Sequence, residues 1–374
     1  MLARSISARL HLSGVAVTVL VLAACQGTPP SPGGSTSASA ALHSGAPVGE
    51  TNDLSVLERP GYEAKDFWTD FASANPGVAV SFDVGMSDDD VLTRMESGSQ
   101  ADVFHLYTGW QQFYVDEGLV QEIDTSKLTN WDKVPDSFKV LGQVNGKQYF
   151  VPWDWSFSSI LSNTAHVTDV DSWDALFDET YAGHIAMWDD GAAAVMVSAY
   201  IHGWDETAIT DDQLAQIEEE WKDQRPLNLH YWTDEATDLC PEVESGDIWV
   251  AYAWQGCYAR ILTSGSQPVS YANPKEGRNA WVGLYGISAQ SDSPELALRF
   301  IDAKLAAPTC GNAITLLFQG CANGEVMAGI EEPILVQAFA LHDPSIWEHT
   351  HFTRPVTQGQ RDAWTAMWRR VKAE

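Results

Sequence analysis

The chain has 374 residues, room for two domains of ordinary size, and 45% of them are hydrophobic, so a sizeable core is available. Lys and Arg number 21 against 51 Asp and Glu, a net charge of −30 at pH 7. That balance argues against nucleic acid, or an anionic lipid surface, as a partner and favours a cationic ligand. The plain account of the charge is a solvated acidic shell suited to a saline habitat. Sixteen Trp residues offer broad apolar faces and electron-rich rings, which suit sugars or cations, although most are expected in the core.

Residues 1–24 read as an export signal, with Arg4 and Arg9 ahead of an apolar run, Leu12–Ala24, too short to span a bilayer. The run ends Leu22-Ala23-Ala24-Cys25, which resembles the bacterial lipoprotein box and implies cleavage before Cys25 and lipid on its thiol. The alternative is a plain secretory signal with an incidental Cys. Residues 25–51 are Ser, Gly, Pro, Thr and Ala, too poor in apolar groups to fold, and read as a flexible tether. The protein is therefore expected outside the cytoplasmic membrane, periplasmic or at the cell surface, anchored as a lipoprotein.

The folded body begins with a strand at Leu54–Leu57 and the loop Glu58-Arg59-Pro60-Gly61-Tyr62. An amphipathic helix over Lys65–Ala74 follows, then a strand at Val78–Val84, a helix at Asp88–Ser97 with an acidic start, and a strand at Ala101–Leu106 tipped by Tyr107-Thr108-Gly109-Trp110. This βαβαβ order predicts a parallel sheet covered by helices. Further on, His184–Trp188 is a strand with Asp189-Asp190 at its tip and a helix from Gly191. Ile248–Trp254 is a buried strand passing into a helix near Cys257, Pro268–Tyr271 a short strand, Pro274-Lys275-Glu276-Gly277 a turn, and Trp281–Ile287 another strand. Helices are expected at Ser293–Leu305 and Asp362–Ala373, the latter with Trp364 and Trp368 as a packed stripe. Ligands of open α/β sheets sit beyond the carboxyl ends of strands, which points to the strand tips.

Cys240, Cys257, Cys310 and Cys321 are an even set in an exported chain and favour two disulfides. Three pairings are open; the local pairs Cys240–Cys257 and Cys310–Cys321 are favoured. A zinc site is disfavoured by the lack of CxxC and of His at ligand spacing.

Several stretches resemble the spermidine/putrescine-binding proteins of bacterial ABC importers. They are Trp254-Gln255-Gly256 with Pro274-Lys275-Glu276-Gly277 and Trp281; Glu117-Gly118-Leu119-Val120 through Ile123-Asp124 to Ser126-Lys127-Leu128-Thr129-Asn130; Val151-Pro152-Trp153-Asp154-Trp155; and Ser172-Trp173-Asp174-Ala175-Leu176 with Tyr181-Ala182-Gly183. The resemblance implies a two-lobed α/β periplasmic-binding-protein fold of type II with two hinge crossings. Each lobe would be a mostly parallel sheet flanked by helices, with residues 52–157 plus 278–330 in lobe 1 and 158–277 plus 331–374 in lobe 2. It also implies a monomeric binder with no chemistry and no cofactor or metal, working with an ABC permease and its ATPase subunit.

A diammonium ligand needs carboxylates for its ends and aromatic faces for its stem. Candidates are Glu58, Tyr62, Tyr107, Trp110, Trp155, Asp190, Trp254 and Trp281, with Asp154 as an additional acid. Asp190 matches the family Asp that bonds the ligand amine; the other reading is that it caps the following helix, a role Asp189 could take instead. Trp254 and Trp281 match family Trp residues that pack on the ligand stem. The chain departs from the family where Arg59 replaces an aromatic, where Ala193 and Gly283 replace acids, and where the family Tyr falls at Gly109 beside Trp110. Arg59 suits a ligand that also carries a carboxylate, so a zwitterionic, amino-acid-like amine is the alternative ligand. Other readings are a receptor for a sensor and a glycoside hydrolase using Glu58, Asp189 and Asp190. A ferric-ion binder is disfavoured because no Tyr-Tyr pair is present.

Overall fold

The computed structural model describes residues 52–373. The export signal, Cys25 and the tether lie outside the described residues. The strands are β1 (Asp53–Glu58), β2 (Ala79–Val84), β3 (Val103–Tyr107), β4 (Gln143–Val144), β5 (Lys147–Gln148), β6 (Phe150–Asn163), β7 (Ile185–Trp188), β8 (Asn228–Trp232), β9 (Val250–Trp254), β10 (Val269–Tyr271), β11 (Arg278–Ile287), β12 (Gly320–Cys321) and β13 (Thr350–Phe352). All but the β4–β5 hairpin join one mixed sheet with the order β2-β1-β3-β11-β6-β9-β7-β8; β10 and β12 are added on β6 and β13 on β11.

Two parallel sets flank two long antiparallel strands. β2, β1 and β3 are parallel to one another, as are β9, β7 and β8. β6 and β11 run antiparallel to each other and to their other neighbours, β9 and β3. All fourteen residues of β6 are buried, as a strand covered on both faces requires. Its first part pairs with β11 over Phe150–Ser158 and its last with β9 over Ser158–Ser162, so one strand carries the chain from the first parallel set into the second. This is a two-lobed α/β fold of type II, each lobe a mostly parallel sheet flanked by helices.

Local differences from the expected elements have local causes. The helix over Lys65–Ala74 is split into a 3-10 turn, Lys65–Phe67, and an α-helix, Thr69–Ala74. Trp68 lies between them at φ −148°, its indole N–H donating to the Glu63 carbonyl at 3.0 Å. β11 begins at Arg278 rather than Trp281 because residues 278–280 pair with β13. The last helix begins at Gln358; its buried Trp364, Met367, Trp368 and Val371 face the helices Gly191–His202 and Asp211–Gln224. Disulfides join Cys240 to Cys257 and Cys310 to Cys321, with Cα–Cα distances of 5.5 and 5.4 Å. Trp153, Trp155, Trp173, Trp221 and Trp232 are fully buried and dominate the core. Among the described residues no helix is long and apolar enough to cross a membrane, and no group of acids, His and Cys could hold a metal.

Candidate ligand-binding site

The ladder through β6 sorts the candidate side chains. Directly paired residues on neighbouring strands project to the same face, and residues two apart on one strand do likewise. Asp154 pairs with Gly283, Ser156 with Trp281 and Ser158 with Trp254. Asp154, Ser156, Ser158, Trp281 and Trp254 therefore share one face. Trp155 belongs to the other face. It is 2% exposed, donates from Nε1 to the Cys321 carbonyl at 3.1 Å and packs against Trp347 at 4.8 Å between ring centroids. Trp155 is thus placed in the core, on the side opposite Trp254 and Trp281.

On the second lobe, Trp254 ends β9 and Trp188 ends β7, both half-buried. The Trp254 ring stands edge-to-face on Trp188 at 5.2 Å and on the buried Trp232 at 5.1 Å. The sequence marks Trp188 only as a strand residue; its place beside the Asp189-Asp190 tip is the available signal. Asp190 caps the helix Gly191–His202, its Oδ1 accepting the Ala193 N–H at 2.8 Å. Burial pushes the Asp190 carboxyl above the usual range, opposed by the Ala193 and Ala192 N–H groups. Asp189 is not the cap: its Oδ1 accepts from Trp368 Nε1 at 2.8 Å and pairs with Lys372, tying the last helix down. The helix after Trp254 starts at Gln255 without a cap from Trp254; the Glu235 carboxylate serves instead, accepting the Cys257 N–H at 3.0 Å. Burial raises Glu235 to about 8.

On the first lobe, Tyr107 ends β3, its ring 4.7 Å from Trp281. The Arg59 guanidinium lies over the Tyr107 ring at 5.1 Å. Trp110 is covered in the same way by Arg361 of the last helix, 3.7 Å from its ring centroid, and Arg361 also donates to the Gly109 carbonyl at 2.9 Å. Gly109 has φ +100°, and a Cβ there would meet Thr353 at 3.1 Å and Arg361 at 3.4 Å, so a Tyr at that position would be strained.

Behind Tyr107 lies a buried charged cluster. Glu58 is 0% exposed, with Oε1 2.6 Å from His105 Nδ1. Its Oε2 accepts from Tyr285 at 2.6 Å and from Lys304 at 3.4 Å. Glu58 is thus placed inside the lobe with both oxygens taken, away from any surface a ligand could reach. Burial would raise its pKa, but Lys304 and His105 outweigh it and hold Glu58 at about 2. Asp154, also 0% exposed, goes the other way: burial lifts it to about 6 against the pull of His105 and Tyr62. The Tyr62 hydroxyl is 2.9 Å from Asp154 Oδ2 and 2.6 Å from Gln319 Oε1, and its one proton can serve only one of them. Gln319, which the sequence did not single out, lies in the loop closed by Cys310–Cys321.

Gly283 is occupied space rather than missing charge. A Cβ there would lie 1.8 Å from Asp154 Oδ1 and 2.7 Å from His105 Nε2. The Asp154 carboxylate fills, from the paired strand, the place beside position 283.

A two-lobed α/β fold with aromatic rings and a carboxylate gathered at its strand ends defines the class of solute-binding proteins. The family described as bacterial extracellular solute-binding protein matches residues 67–317, and the chain belongs to it. It is 27% identical over 213 residues to the spermidine/putrescine-binding periplasmic protein of Escherichia coli K12, a match spanning 53% of this chain and 60% of that relative. It is 22% identical over 355 residues to the putrescine-binding periplasmic protein SpuD of Pseudomonas aeruginosa, covering 88% of this chain and 94% of that one. The fold is similar to that of a spermidine/putrescine ABC transporter substrate-binding protein from Streptococcus pneumoniae (TM-score 0.72, 16% identity, covering 86% of this chain and 99% of that one). It is also similar to the Tp0655 lipoprotein of Treponema pallidum (TM-score 0.73, 17% identity, covering 86% and 100%).

Proposed function

We propose that this protein is the solute-binding component of an ABC importer, capturing a small cationic amine, of the polyamine class that includes spermidine and putrescine, between its lobes. It performs no chemistry; it closes on the ligand and delivers it to a membrane permease powered by an ATPase subunit. Export and a lipid on Cys25 hold it at the membrane, as a monomer. The lobes are residues 52–157 plus 278–330 and 158–277 plus 331–374, hinged where β6 changes partner at Ser158.

The observation that carries this reading is the shared face of the β11–β6–β9 ladder, which puts Trp281 and Trp254 on either side of Ser156 and Ser158. Trp188 and Asp190 extend that surface on one lobe and Tyr107 on the other. Rings supply cation–π contact and cover for an alkyl stem, and Asp190 supplies the charge. The curated relatives named above are polyamine binders by name.

Thermal melting and calorimetry with putrescine, spermidine and related amines test it. An amine at about 100 times its dissociation constant should add about 2.7 kcal/mol of stability. The gain should vanish in Trp254→Ala and Asp190→Asn. Absence of any amine binding, or a sugar consumed over time, would overturn it.

A further inference from the structure

The two disulfides border one contact. Cys257 follows Gly256 in the first turn of the helix Gln255–Ser264, and Cys310–Cys321 closes the loop that carries Leu317 and Phe318. There the loop meets the helix. A Cβ on Gly256 would lie 3.8 Å from the Leu317 carbonyl oxygen. One turn further along the helix, the Arg260 guanidinium stands 6.0 Å from the Phe318 ring centroid, the reach of a cation–π contact. In the division proposed above the loop belongs to the first lobe and the helix to the second.

Each side of this contact is fastened within its own lobe. Ahead of the loop, Thr309 Oγ1 donates to Asp70 Oδ2 at 3.1 Å and Asn312 Nδ2 to the Asp66 carbonyl at 2.8 Å. Behind it, Gly320 and Cys321 pair with Trp155 and Asp154 of β6. Gly320 permits this, since a Cβ there would lie 2.0 Å from the Trp155 ring. Phe318 itself has φ +53°, the left-handed region that an aromatic residue adopts only where its surroundings hold it. On the helix side, Cys240–Cys257 and the Glu235 carboxylate, which accepts the Cys257 N–H, hold the first turn. The contact between these fastened parts is light: Leu317 and Phe318 are half-buried and Arg260 is exposed. Such a contact can part and re-form as whole lobes move, without either side losing its shape. It also borders the candidate ligand surface. Trp254 stands two residues before Gly256, and Gln319, next to Phe318, is bonded to Tyr62, whose hydroxyl is 3.4 Å from that of Tyr107.

We propose that Leu317 and Phe318 form a clasp that closes the first lobe onto Gly256 and Arg260 of the second, beside the ligand surface, and slows the release of a bound ligand. This rests on the two-lobed reading of the site and adds to it a point of closure away from the hinge at Ser158.

The test is hydrogen exchange of the whole mature protein, without ligand, in two variants. Phe318→Gly removes the ring and leaves a residue that takes the left-handed backbone freely. Arg260→Gln removes the charge from the other side. Each should speed exchange in the opposite partner by about three-fold or more: Phe318→Gly at the amides of residues 257–260, Arg260→Gln at those of 317–319. Both should leave exchange in the centre of β6 unchanged, which separates the effect from a general loss of stability. Leu316→Gln, at a residue 52% exposed on the same loop, should change neither partner. Stopped-flow tryptophan fluorescence with putrescine should show both variants releasing it about three-fold or more faster, with the association rate little changed. Unchanged exchange across the contact, or an unchanged release rate, would overturn the clasp and leave the amine-importer reading standing. If neither putrescine nor spermidine binds the parent, the amine reading falls, and the exchange result alone upholds or overturns the clasp.

Discussion

Replacing Glu58 by Gln should show whether the charged cluster behind Tyr107 holds the first lobe together. The change keeps the shape of the side chain and removes its charge, leaving Lys304, 1% exposed, without its direct ion-pair partner. Breaking a buried pair in this way costs about 3–5 kcal/mol. The titration leads to a similar size. Glu58 falls from 4.5 to about 2, and a drop of about 2.5 units at about 1.36 kcal/mol each is worth about 3 kcal/mol. Because the folded-state pKa is the lower one, this stability is present above pH 4.5 and is lost as the pH falls toward 2. Urea unfolding at neutral pH should therefore find Glu58→Gln less stable by about 3 kcal/mol, and the gap should shrink to about half or less by pH 3. Adding Lys304→Met removes the stranded cation and should recover most of the loss. A loss under about 1 kcal/mol at neutral pH, or no recovery in the double variant, would refute the account of the cluster as a buried ion pair.

Asp154 should give the opposite pH trend. Its pKa is raised from 3.8 to about 6, so its contribution is complete below 3.8 and lost as the pH rises through 6. Unfolding curves of Asp154→Asn should lack the fall in stability that the parent shows across that window. Gly283→Ala should lower stability by about 1–3 kcal/mol in thermal melts through its clash with Asp154, and the loss should be relieved in an Asp154→Gly background. Asp190→Ala should cost about 1 kcal/mol as a lost helix cap, whereas Asp190→Asn should retain the cap and lose only amine affinity. Replacing Cys310 and Cys321 by Ser should cost about 2–4 kcal/mol and also weaken amine binding by calorimetry, because Gln319 is no longer held against Tyr62.

Much of the candidate site was legible because its residues sit at the tips of strands with clear local patterns. The strand ending at Trp254, the strand ahead of Asp189-Asp190 and the strand ending near Tyr107 follow from runs of apolar residues bounded by turn signals. Glu58 and Trp155 carry the same local signals, a strand tip and a crossover aromatic, yet lie elsewhere. For Trp155 the reason is the period of two: with Ser156 and Ser158 beside Trp281 and Trp254, an odd-numbered neighbour must point away. Such a choice of face needs the register with two other strands, which are far off in sequence. Glu58 turned inward because Lys304 and His105 were waiting there, from a helix and a strand that no local pattern links to it.

The sequence by itself determined the first parallel set, the strands ending at Trp188 and Trp254 and the family likeness, since apolar periodicity, turn residues and contiguous motifs are local properties of the chain; the long central strand β6 was not legible in it. Only the tertiary structure decided how charge is arranged around the candidate site. Position 283 lacks an acid, yet Asp154 fills that space from the paired strand; Arg361, over two hundred and fifty residues from Gly109, closes over Trp110. Electrostatic and hydrogen-bonding partners are chosen by distance in space, and that distance exists only once the sheet has registered and the last helix has docked.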